Sequence, residues 1–184
     1  MKKKIIIAII AVIVVAGIIA AIIIAGHYRT SGLNPANPPN DTDSVISERG
    51  TLTVSNVTGS AGEDVEVIVS IKDNPGILGM TLSVNYVTGA LTLTDAKSGD
   101  ALNEVLTFTK PGSYQNNCRF LWDGMELSDD QIKDGDVLIL TFHINDDAEP
   151  GEYPVLLTYG QDDIVDKNLN MIDLDIIDGN ITIE

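Results

Sequence analysis

The feature that most constrains this chain is the strict alternation in residues 77–86, Ile-Leu-Gly-Met-Thr-Leu-Ser-Val-Asn-Tyr. In an extended backbone, Met80, Leu82, Val84 and Tyr86 fall on one face and Gly79, Thr81, Ser83 and Asn85 on the other. A period of two sustained this long predicts a strand with one buried and one wet face. The wet face is unusual because every side chain on it is small and none is charged. Charge is plentiful elsewhere: beyond Lys2, Lys3 and Lys4 the chain carries 8 basic and 27 acidic residues, a formal −19. An uncharged strip on such a domain can approach another protein closely without stripping water from ions. The expectation is the floor of a protein-binding face, although a solvated strand without a partner reads equally well from this stretch alone.

The same period recurs along the rest of the chain. Leu52 and Val54 open it, and Val65, Val67, Val69 and Ile71 follow. After residues 77–86 come Leu91 with Leu93, Leu106 with Phe108, and Cys118 with Phe120 and Trp122. Leu138, Leu140, Phe142 and Ile144 form the seventh set, Tyr153, Val155, Leu157 and Tyr159 the eighth, and Ile181 with Ile183 the last. Turn signals such as Thr88-Gly89, Pro111-Gly112, Pro150-Gly151 and Asp178-Gly179 separate them. About nine short strands without a long helical pattern predict an all-β antiparallel sandwich or barrel. One small helical piece is expected at Ser128-Asp129-Asp130-Gln131, which has capping-box spacing. Pro154 inside its strand pattern predicts an edge strand or a bulge.

The N-terminus obeys a different rule. Residues 5–25 are drawn only from Ile, Val, Ala and Gly, 14 of them Ile or Val. As a helix this run is about 31 Å long, matching the roughly 30 Å hydrocarbon core of a bilayer. The expectation is a retained signal anchor over residues 1–26, a single transmembrane helix, with cleavage and secretion as the alternative. The three lysines ahead of the run, against Arg29 alone shortly after it, place the N-terminus in the cytoplasm and the remainder outside. Residues 27–50, with Pro35, Pro38 and Pro39 among Asn, Asp, Ser and Thr, read as a flexible linker. Residues 51–184 are the folded domain.

Several functions are excluded or weakened by the residues themselves. The acidic balance repels nucleic acid. One cysteine, Cys118, leaves no internal disulfide framework and no Cys-rich metal cluster. No serine or cysteine nucleophile pairs with His143, so an enzyme is not expected. Asp166-Lys167-Asn168-Leu169-Asn170 starts like a calcium loop, but Met171 and Ile177 stand where its glycine and glutamate belong. A polar loop is expected there, and no cofactor on this chain.

Taken in order, the residues resemble a cohesin module. The resemblance rests on Val65 to Val69, Gly79 to Tyr86, Arg119-Phe120-Leu121-Trp122, Ile132-Lys133-Asp134-Gly135, Pro150-Gly151-Glu152-Tyr153-Pro154-Val155 and Asp178-Gly179-Asn180-Ile181. It covers residues 51–184. It implies a nine-stranded jelly roll that binds a dockerin, a small calcium-loaded module carried by enzymes or scaffolding proteins of cellulosome-like assemblies. The calcium then belongs to the partner. The dockerin-binding residues so implied are Gly79, Thr81, Ser83 and Asn85 on the third strand and Thr107 and Thr109 on the fifth. On and beyond the sixth they are Arg119, Leu121, Asp123, Gly124, Met125 and Glu126. Leu121 also stands out without the resemblance, since it points away from the Cys118, Phe120 and Trp122 face and reads as an exposed apolar anchor. The expected protein is a monomeric domain on the cell surface, anchored in a bacterial membrane through residues 5–25, that tethers dockerin-bearing enzymes or scaffoldins. The alternative is a carbohydrate-binding sandwich. It is weakened because the planar aromatics fall on core faces, with only Tyr114 free in a turn.

Overall fold

The computed structural model describes residues 49–184. The expected anchor over residues 5–25 and the linker up to residue 48 lie outside the described residues. Among the described residues no helix is long and apolar enough to cross a membrane.

Among the described residues the fold is a β-sandwich of twelve strands. In chain order they are β1 (Thr51–Val54), β2 (Val57–Gly59), β3 (Asp64–Lys72), β4 (Ile77–Asn85), β5 (Leu91–Ser98) and β6 (Thr107–Thr109). There follow β7 (Cys118–Asp123), β8 (Gly135–Ile144), β9 (Gly151–Thr158), β10 (Ile164–Asp166), β11 (Asp175–Ile177) and β12 (Gly179–Ile183). A single helical turn, α1 (Asp100–Asn103), sits between β5 and β6, and a 3-10 turn spans Asp129–Gln131. The latter is the helical piece expected from the capping-box spacing, with the Gln131 carboxamide accepting the Ser128 N–H at 3.0 Å.

One sheet has the order β11-β1-β3-β8-β5 and the other β2-β12-β9-β4-β7-β6, with β10 added beside β4. The inner faces carry the alternating apolar sets, and Leu52, Val67, Val69, Leu82, Phe120, Trp122, Leu140 and Phe142 are completely buried. Across the two layers Tyr86 meets Phe142 edge-on with ring centroids 5.1 Å apart. The Trp122 indole N–H donates to the Ser98 hydroxyl at 3.0 Å. Burying these faces removes large apolar areas from water, which is what holds two sheets together.

Three expectations need correction. Twelve strands replace nine, because β2, β10 and β11 are three residues each and too short to show a period. The sheets are not purely antiparallel: β1 pairs with β11, and β12 with β2, in parallel. The β9 strand is interior, between β12 and β4. Pro154 is tolerated because β4 pairs with β9 only as far as Leu156, so its missing N–H interrupts no bond on that flank. The β5 strand also runs further than its apolar pair implied. A bulge places Leu93 opposite Phe142 and Asp95 opposite Thr141, so Thr94 is the extra residue and the buried side shifts to Ala96.

Candidate functional site

The outer face of β4 is the strip its alternation predicted. Met80, Leu82 and Val84 are buried, while Gly79, Thr81, Ser83 and Asn85 are partly exposed between neighbouring strands. The β7 strand alternates just as cleanly, with Cys118, Phe120 and Trp122 inside and Arg119, Leu121 and Asp123 outside. Register then fixes the rows. Gly79 lies opposite Asp123, Thr81 opposite Leu121, and Ser83 opposite Arg119. On the far side of β7, Thr107 pairs with Asp123 and Thr109 with Leu121. Directly opposed residues project to one face. The strands thus bring Gly79, Thr81, Ser83, Thr107, Thr109, Arg119, Leu121 and Asp123 together. Asn85 joins them through its amide, which donates to the Thr158 hydroxyl at 3.3 Å. Leu121 is 42% exposed, a large apolar side chain standing among small neutral ones.

Beyond β7 the expected contacts divide. Met125 is fully exposed and Glu126 exposed as well. Gly124 turns the other way: a Cβ there would lie 2.5 Å from Leu106 Cδ2 and 3.2 Å from both Leu78 Cδ1 and the Leu78 carbonyl. Its N–H donates to that carbonyl at 3.0 Å. Gly124 is packed closely on its Cβ side and stays partly exposed. The Tyr114 ring is not free either. It packs against Phe120 with centroids 6.3 Å apart and its hydroxyl donates to Asp95 at 3.4 Å, where the sequence reading has it free in a turn.

Sequence reasoning missed the turn and hairpin that border β4. The guanidinium of Arg119 lies 3.2 Å from the carboxylate of Asp163, which precedes β10. Asp163 also accepts the Thr81 N–H through its carbonyl at 2.8 Å and the Gly160 N–H through its carboxylate at 2.6 Å. The only hint in the sequence was the β-branched pair Ile164-Val165, too short to read as a strand. Val165 pairs with Gly79 and fills the space its missing side chain leaves, 3.1 Å from the position of a Cβ. The Asp166 loop closes on itself, because the Asp166 carboxylate accepts the N–H groups of Asn168 and Asn170, each at 2.8 Å. Its oxygens are thus engaged as in a polar turn. His143 stands on the outer face of the other sheet, 2.8 Å from Asp64.

The outer face of β4, β6 and β7 thus carries one large exposed apolar side chain, Leu121, among small neutral residues. The Cohesin domain model matches residues 50–183, and the chain belongs to the cohesin family. Cohesin-family domains are binding modules rather than enzymes. Among solved structures, the chain is similar to the seventh ScaB type I cohesin from Pseudobacteroides cellulosolvens, with 17% identity and TM-score 0.61, covering 74% of this chain and 92% of that one. A type I cohesin–dockerin complex from Clostridium thermocellum matches at 19% identity and TM-score 0.61, covering 74% and 99%. The non-cellulosomal cohesin of the archaeon Archaeoglobus fulgidus matches at 17% and 0.60, covering 74% and 91%. No curated protein matches the sequence.

Proposed function

We propose that this protein is a cell-surface cohesin that captures a dockerin-bearing protein on the outer face of β4, β6 and β7. The observation that carries this reading is the uncharged strip from Gly79 to Asn85, flanked by exposed Leu121, on a domain otherwise dense in carboxylates. A partner helix laid on that strip displaces little tightly held water, while Leu121 enters an apolar recess on it. The surrounding acids attract a basic partner and quicken association. Cohesin–dockerin complexes from Clostridium thermocellum and Acetivibrio cellulolyticus among the similar structures support a dockerin as partner. Residues 5–25 hold the captured protein at the membrane, the domain lying outside as a monomer. Their support is the length of the apolar run and the lysines ahead of it.

The test is to immobilise the full chain and titrate it with the calcium-loaded dockerins encoded by the same genome. At least one binds, and chelating calcium releases it while the cohesin stays folded. Failure of every such dockerin to bind at micromolar concentration overturns the reading. Mature protein found free in the medium and starting at or after Gly26 overturns the anchor.

A further inference from the structure

Two Asn-X-Thr triplets lie side by side in the folded domain, at the end of the second sheet farthest from β6. Asn56-Val57-Thr58 leads from β1 into β2, and Asn180-Ile181-Thr182 lies in β12. The two strands run parallel, with Val57 opposite Ile181 and Thr58 opposite Thr182. In an extended chain residues i and i+2 share a face, so each triplet presents its amide and its hydroxyl together. That pattern is the acceptor for transfer of an oligosaccharide to asparagine. A third triplet, Asn40-Asp41-Thr42, lies outside the described residues.

The two structured triplets are not equivalent. The β12 strand is interior, between β2 and β9, and Ile181 is completely buried. Asn180 and Thr182 are only partly exposed. A backbone paired on both flanks enters no enzyme cleft unless the sheet opens. The β2 strand is three residues long and ends its sheet. Asn56 and Thr58 are both exposed, while Val57 between them packs against the core. The corner before them is pinned to β3: the Ser55 N–H donates to the Ile68 carbonyl at 2.8 Å, and the Ser55 hydroxyl accepts the Ile68 N–H at 2.9 Å. The Asn180 N–H donates to Asn56 Oδ1 at 2.8 Å. That bond engages the amide oxygen and leaves Nδ2, the atom that carries a sugar, outside it.

We infer that Asn56 is a glycosylation site, its side-chain amide taking an oligosaccharide from a polyprenyl-phosphate-linked donor outside the cell. This rests on the reading that the domain lies outside the membrane. In the transfer, Nδ2 attacks the anomeric carbon of the first sugar. The new C–N bond forms as the bond from that carbon to the lipid phosphate oxygen breaks. Nδ2 gives up one proton, the lipid leaves as its phosphate, and nothing is oxidised or reduced. Because the sugar is carried on Nδ2, the bond from the Asn180 N–H to Oδ1 survives it. The β2 strand is three strand spacings from β4, about 14 Å. The sugar therefore covers an open sheet edge, which otherwise invites pairing with another chain, and leaves the strip from Gly79 to Asn85 clear.

The experiment uses the full chain made in the cells that encode it. Glycopeptide mass spectrometry finds whole sugar residues added to the peptide that contains Asn56, and protease added to intact cells digests the domain. Thr58→Val abolishes the sugar yet keeps the bond between Asn56 and Asn180 and a parental melt, because Thr58 is exposed. Thr58→Ser retains the sugar, and Thr182→Val leaves it in place on Asn56. An unmodified Asn56 on a domain that protease reaches from outside overturns the inference and leaves the cell-surface reading standing. Sugar on Asn180 with none on Asn56, or sugar that persists in Thr58→Val, overturns it as well. A domain that is unmodified and shielded from protease in intact cells removes both readings together.

Discussion

Arg119 and Asp163 meet across β4, guanidinium to carboxylate at 3.2 Å, although they belong to elements on opposite sides of that strand. Ser83 lies opposite Arg119 and the Thr81 N–H reaches the Asp163 carbonyl, so the pair straddles the middle of the strip. It links the turn before β10 to β7 across β4.

An exposed pair of this kind couples weakly. A double-mutant cycle of Arg119→Ala and Asp163→Asn is expected to give under about 1 kcal/mol, falling in high salt. Asp163→Ala costs more, roughly 1–2 kcal/mol, because the Gly160 N–H also loses its acceptor. Urea melts of the single variants decide it. Equal losses for Arg119→Ala and Asp163→Ala contradict this account.

The proposed binding face and the core are expected to be separable by mutation. Ser83→Arg blocks dockerin by bulk, and Leu121→Ala weakens it by on the order of 1–3 kcal/mol, with little change in Tm for either. Lys72→Ala, exposed at the end of β3 in the other sheet, leaves affinity unchanged. Calorimetric titration measures all three. Parental affinity in Ser83→Arg moves the site elsewhere.

Gly124 acts through packing. Gly124→Ala forces a methyl against Leu106 and Leu78, and the expected loss is about 1–3 kcal/mol of stability. Dockerin affinity of the folded fraction stays near the parent's. A normal melt with weakened binding reverses this assignment.

Burial pushes the Cys118 thiol pKa up, although its hydrogen bonds to backbone groups partly oppose this. It resists alkylation near pH 8 and reacts once urea unfolds the chain. A thiol with a raised folded pKa favours the folded state fully below its unfolded value of about 8.5, and that contribution is lost as pH rises through the folded value. Stability therefore declines as pH rises from the unfolded value through the folded one, less so in Cys118→Ala. Rapid labelling of the native domain places the thiol on the surface and refutes the assignment of the two faces of β7.

Ser98→Ala removes the acceptor of the buried Trp122 indole, a bond that joins the two sheets. The expected cost is roughly 1–3 kcal/mol, read from the loss of this single tryptophan's native fluorescence in denaturant. No loss means the indole finds another acceptor.

The sequence by itself determined which residues are buried in the long strands, because side chains alternate across a pleat and water sorts them. Met80, Leu82 and Val84, Cys118, Phe120 and Trp122, and the exposure of Leu121 all follow from that rule alone. The uncharged strip was legible for the same reason, and the ordered set of strands pointed to the cohesin family. Tertiary structure alone decided what lies beside what. Period two is silent on segments of three residues, so β2, β10 and β11 were invisible, and a bulge at Thr94 hid the rest of β5. A glycine carries no pattern, so only the approach of Leu106 and Leu78 shows how tightly Gly124 is packed. Asp163 and Val165 joined the face because the chain returns about 80 residues later to pair with β4. That pairing depends on register and closure between distant segments, which no local alternation encodes.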